Sequence, residues 1–123
     1  MADDQDKTMR YFSHRLSMVY TALVNCCAHL PIPISLPTKA VDNLSAVPAV
    51  RRITEIAEEQ PMPEEQHAAL YTGSLMWLVA MDVFSILVVN EYDEIRAHGG
   101  IAATHVAEDA LMELAQWLQA QQD

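Results

Sequence analysis

LMWLVAMDVFSILVV, residues 75–89, carries only two polar side chains, Asp82 and Ser85. A surface helix shows one apolar stripe, whereas a helix that is apolar nearly all the way round is covered on every side. The stretch is therefore predicted to be the central helix of an all-α fold, or a helix with one face completed by another chain. No segment of the chain alternates with period two between turn residues, so no sheet is predicted.

Upstream, Pro61-Met62-Pro63 interrupts the chain, and Pro63, Glu64 and Glu65 form a helix start: proline in the first turn, acids at the positive end of the dipole. The third helix is predicted from there to His98, about 35 residues or ~50 Å at 1.5 Å per residue. Its polar end, NEYDEIRAH, is expected to project, and Gly99-Gly100 to supply the left-handed stop. The last helix is predicted to start between Ile101 and Thr104 and to run to Ala120. Ala107, Leu111, Leu114 and Leu118 form its inner face, with Thr104 at the edge.

The first helix is predicted from Asp4 to Leu30. Met9, Phe12, Leu16, Val19, Leu23, Cys26 and Leu30 alternate at spacings of three and four, a heptad seam. Tyr20, Val24 and Cys27 widen that face beyond a narrow coiled-coil seam, which fits a bundle helix. PIPISLP, residues 31–37, cannot be helical because its prolines fix φ and remove donors. It is expected to run extended, laying Ile32, Ile34 and Leu36 on or near the core. A short helical turn is expected from Thr38 to Leu44. A second helix is predicted over Ala46–Gln60, with Pro48 in its first turn and Ala46, Val50, Ile53 and Ala57 on one face.

The whole chain, residues 1–123, is expected to form one helical domain. Its 51% hydrophobic content suffices for a core and excludes disorder by composition. The net charge is −10, with residues 1–52 near +2 and residues 53–123 near −12. So acidic a surface repels phosphate backbones, so direct nucleic-acid binding is not expected, whereas a basic protein would be attracted. A membrane span is not expected either. Asp82 in hydrocarbon costs ~2.5 kcal/mol or more, and both flanks of the apolar run are acidic. The two cysteines, Cys26 and Cys27, are neighbours, project about 100° apart on a helix and are poorly placed to bond each other. Residues 1–10 are polar, so a reduced, cytoplasmic protein is expected.

Catalytic signatures are absent: no Gly-rich phosphate loop and no nucleophile elbow. Cys26 and His29 share a helix face, but a metal site needs three or four ligands, and Cys26 lies on the apolar seam. Glu91, Glu94 and His98 share a face that reads as a solvated helix end. No metal and no cofactor are expected. Glu55-x-x-Glu58-Glu59 followed by Asp82 resembles the all-α nucleoside triphosphate pyrophosphohydrolases of the MazG kind. The resemblance covers residues 55–82 and implies carboxylates holding magnesium against phosphates. It departs where Val79 stands three before Asp82 in place of Glu, and there is no Lys/Arg cluster for phosphate.

Asp82 itself is costly in an apolar helix unless paired. Ser85, Tyr20 or Arg15 is the expected partner, with a polar registry point in an interface as the alternative. The function expected is that of a non-enzymatic regulator. It would bind and mask a surface of another protein, as an anti-activator or inhibitor of a transcription regulator or a chaperone-like adaptor does. The alternatives are a degenerate MazG-like magnesium-dependent pyrophosphohydrolase and an acidic nucleic-acid mimic. A homodimer is expected. Partner or dimer contacts are assigned to Phe12, Leu16, Val19 and Leu23 on the first helix and to Met76, Met81 and Phe84 on the third.

Overall fold

A computed structural model describes residues 2–38 and 43–122. Four helices pack together: α1 (Ala2–Ala28), α2 (Asn43–Ile56), α3 (Glu64–Val89) and α4 (Glu94–Gln122), with no strand among the described residues. α3 touches each of the other three helices. It is also the one described helix long and apolar enough to span a bilayer, by length and composition, and 33% of its most apolar stretch is buried against the chain itself.

α1 delivers its seam to the core as its spacing requires. Phe12, Leu16, Val19, Leu23, Cys26 and Leu30 are buried, and Met9 packs beside them. α1 runs antiparallel to α3. Phe12 meets Phe84 edge-on with centroids 5.3 Å apart, and the Trp77 indole N–H donates to the Leu16 carbonyl at 3.0 Å. The edge-to-face pair contributes about 0.5–1.5 kcal/mol beyond its area.

The proline segment is irregular, with bends at Pro31 and Ile32, and is pinned from three directions. Tyr20 donates its hydroxyl to Pro37 O at 2.6 Å, and Ile34 N–H donates to Cys27 O at 2.9 Å. The buried Gln60 amide pairs both ways with the Ile32 backbone, at 2.9 and 2.7 Å. Leu36 is buried and Ile34 half-buried, but Ile32 is 55% exposed, contrary to the expectation. Its backbone rather than its side chain is what Gln60 holds. The turn expected over Thr38–Leu44 falls largely on residues 39–42, outside the described residues.

α2 starts at Asn43, so Pro48 is its sixth residue and not in its first turn. It ends at Ile56, followed by a 3-10 turn, Ala57–Glu59. Its predicted inner face, Ala46, Val50, Ile53 and Ala57, is buried as expected.

The third helix does not reach His98. It ends at Val89, Asn90 is extended, and Asp93 accepts the Arg96 N–H on Oδ1 at 3.1 Å. Asp93 is an N-cap, which satisfies one of the free donors at a helix start. Gly99-Gly100 accordingly lies inside α4 and stops nothing. Gly100 is there for space: a Cβ would stand 2.7 Å from Phe12 Cε2 and 3.0 Å from Val83 Cγ1. The stretch expected to project instead folds back through buried Ala97.

Gly73 lies against Leu111, and Val83 against Gly100, so α3 and α4 are antiparallel. A Cβ on Gly73 would stand 2.6 Å from Leu111 Cδ2, so the two helices approach closely here. The inner face of α4 is as predicted at Ala107, Leu111, Leu114 and Leu118, but Thr104 is fully buried rather than at the edge.

Candidate functional site

The seven positions assigned to contacts divide into two groups. Phe12, Leu16, Val19 and Leu23 are buried in the chain's own core; Met76, Met81 and Phe84 on α3 are half-buried. Leu16, Met81 and Phe84 come together with Tyr20 and Trp77 along a groove of about 620 Å³ between α1 and α3. Its α1 edge is a row of uncharged polar residues at every fourth position: Ser13, Ser17, Thr21 and Asn25. Met76 lies outside this groove.

Neither Tyr20 nor Arg15 turns to Asp82. Tyr20 is engaged with Pro37, and Arg15 reaches α4. The buried Arg15 donates to Glu108 through both Nη atoms, at 3.3 and 3.1 Å, and to Thr104 Oγ1 at 3.2 Å. Its Nη2 also lies 3.1 Å from His105 Nδ1. Arginine can only donate, so His105 accepts there and carries its proton on Nε2. Thr104 passes its own proton to Ile101 O at 2.6 Å, which completes a satisfied polar cluster between α1 and α4.

Asp82 is exposed, on the outer side of α3 together with Val79, Ile86 and Val89. Ala68, Leu75, Asp82 and Val89 repeat at seven, with Tyr71, Leu78 and Ser85 between them and Val79 and Ile86 alongside. This is a heptad seam about 32 Å long, at 1.5 Å per residue. Val89 is 81% exposed and Tyr71 45%, Val79 and Ile86 are 39% and 38% exposed, Leu75 is half-buried, and Leu78 packs against the core. Acids stand at both ends: Glu64 and Glu65 at the start, Glu91, Asp93 and Glu94 just past the finish. Met76, Met81 and Phe84, assigned to contacts from the sequence, are half-buried and lie on the other side of this helix from Tyr71, Val79, Ile86 and Val89. Seven-residue spacing through Asp82 is the sequence signal for that outer side.

Two further sites have less chemistry than their residues promise. Glu55, Glu58, Glu64 and His67 line a depression between α2 and α3. Asp82 lies eleven residues beyond Tyr71 at its edge, about 16 Å along the helix, so it does not join these acids. His67 is itself bonded through Nε2 to the Gln60 carbonyl. Cys26 and His29 share a groove between α1 and α4, lined by the C-terminal parts of both helices. Burial pushes the Cys26 thiol up to about 11 and Cys27 to about 12, so both stay protonated near neutrality. Cys26 donates to Leu111 O at 3.5 Å, and His29 donates from Nδ1 to Asn25 O at 2.9 Å. Among the described residues no group of three or more His, Cys, Asp or Glu is placed to hold a metal ion.

Comparison with protein families, with characterised proteins and with solved structures returns no match for this chain.

Proposed function

We propose that the protein is a non-enzymatic regulator that binds another protein and masks a surface its target needs. An anti-activator or inhibitor of a transcription regulator, or a chaperone-like adaptor, works in this way. The observation that carries the proposal is the outer face of α3, where Tyr71, Val79, Ile86 and Val89 keep exposed apolar surface around Asp82 while the α1 seam is spent on the core. Exposed apolar patches with polar rims mark sites of contact with other macromolecules. The rim here is acidic, which favours a basic partner and disfavours nucleic acid.

The test is capture from the host with wild type and with Val79→Gln/Ile86→Gln, followed by assay of the captured partner's own activity. One partner held by wild type, released by the double variant and inhibited when wild type is added back supports the proposal. Magnesium-dependent turnover of a nucleotide, abolished by Glu55→Gln, Glu58→Gln or Asp82→Asn, overturns it.

A further inference from the structure

The chemistry of the occupant can be taken further, on the footing that the outer face of α3 is the contact surface. Asp82 sits at the middle of the seam, one heptad from Leu75 and from Val89, with Val79 and Ile86 beside it. A single polar residue at such a position selects register and partner in paired helices. In the free chain the carboxylate is exposed and keeps its water. A helix laid over the seam removes that water, and a carboxylate without an opposite charge then opposes binding.

A second copy cannot supply the opposite charge from this face, because α3 holds no Lys or Arg between Glu64 and Val89. Two copies in parallel set Asp82 against Asp82. Two copies in opposite directions, with Ala68 over Val89, set Asp82 over Leu75 and bring Glu64 and Glu65 towards Glu91 and Asp93. Both arrangements leave like charges close together or the central carboxylate uncompensated.

We propose that the outer face of α3 takes an amphipathic helix of another protein. Its apolar seam is interrupted by one Arg or Lys opposite Asp82, and further cations at its ends meet the acids that flank α3. The central cation converts an unpaired buried carboxylate into a charge-assisted hydrogen bond, strongest and bidentate for Arg.

The test uses two synthetic helical peptides of about 22 residues, enough to match the seam at 1.5 Å per residue. Both carry Leu along the seam and Lys at both ends; the central seam position is Arg in one and Gln in the other. Binding to the full chain is measured by calorimetry for wild type, Asp82→Asn and Val79→Gln/Ile86→Gln. All three substituted positions are exposed, and circular dichroism verifies that each variant is folded. Wild type is expected to prefer the Arg peptide by about tenfold or more, and Asp82→Asn to lose that preference. Equal binding of both peptides to wild type overturns the cation assignment and leaves the α3 surface standing. Binding of neither peptide, or binding that survives the double apolar substitution, overturns both. A wild-type dimer at neutral pH that Val79→Gln/Ile86→Gln dissociates makes a second copy the occupant and overturns the proposal.

Discussion

Gly99 and Gly100 are adjacent in sequence, and alanine at the two positions is expected to act in opposite directions. Both lie inside α4, and neither adopts the left-handed backbone that favours glycine. Replacing an interior helical glycine with alanine is worth about 1 kcal/mol through propensity. At Gly99 the new methyl meets nothing within 4 Å, so Gly99→Ala should show that gain undiluted. At Gly100 the same gain is opposed by overlap with the fully buried Phe12, whose ring is held edge-on against Phe84. Overpacking of this kind costs about 1–3 kcal/mol. The propensity contribution is common to both variants, so their difference isolates the overlap: Gly100→Ala should be less stable than Gly99→Ala by about 1–3 kcal/mol. Urea unfolding followed by far-ultraviolet dichroism reads this as a change in midpoint at constant slope. A Gly99→Ala protein less stable than wild type would refute this account. That is the result required if the glycine pair ends a helix in a left-handed conformation, since a Cβ is strained there.

The buried polar groups carry two more expected outcomes. Arg15→Met should lower stability by about 1–3 kcal/mol, because Thr104 and His105 lose a charged donor while the partly exposed Glu108 regains water; thermal unfolding checks it. Stability should be insensitive to thiol ionisation at neutral pH and should fall as the medium is made alkaline above about pH 9. Both thiols are harder to ionise in the folded chain than in the unfolded one, so the folded chain holds these protons more tightly. Rising pH then favours unfolding, by about 1.4 kcal/mol for each tenfold difference in proton affinity between the two states. A urea midpoint series from pH 7 to 10.5, flattened in Cys26→Ala/Cys27→Ala relative to wild type, is the expected result.

The inner faces of α1, α2 and α4 were legible because each carries apolar residues against a polar background, so the period alone shows which side is buried. α3 has no such background. When nearly every position is apolar, periodicity cannot say which neighbours cover which side, so it does not separate the half-buried Met76, Met81 and Phe84 from the more exposed Tyr71 and Val89. The break at Asn90–Asp93 was hidden for a different reason. Asp93-Glu94-Ile95-Arg96 carries a cap signal, but Gly99-Gly100 carries a stronger apparent stop a few residues later. Only the approach of Phe12 shows that Gly100 is there for space. Arg15 was legible as a cation on the first helix but not as part of the α1–α4 contact, since the direction it takes depends on which helix lies alongside. α4 runs parallel to α1, carrying Thr104, His105 and Glu108 past it in one row.

The apolar content of the outer face of α3 is only partly accounted for by the fold. The inner side of that helix meets α4 through small residues, with Gly73 against Leu111 and Gly100 against Val83, and it meets α1 through Trp77 and Phe84. Val89 is 81% exposed, whereas Val79 and Ile86 are 39% and 38% exposed and so lose part of their surface to neighbours. Polar residues at exposed positions away from buried networks change stability by only about 0.5 kcal/mol. Val79 and Ile86 are partly covered, so Gln at both should cost more than this, part of their burial or about 1–2 kcal/mol in all, and would gain solubility. Asp82 argues in the same direction. A carboxylate solvated on that face adds no burial cost to the free monomer, yet it becomes decisive as soon as another helix covers it. A seam only partly used in folding and a charge that matters on contact are the properties that the proposed recognition surface requires. Val79→Gln/Ile86→Gln should accordingly separate the two roles, lowering the unfolding midpoint modestly with the chain still folded, while abolishing capture of the partner.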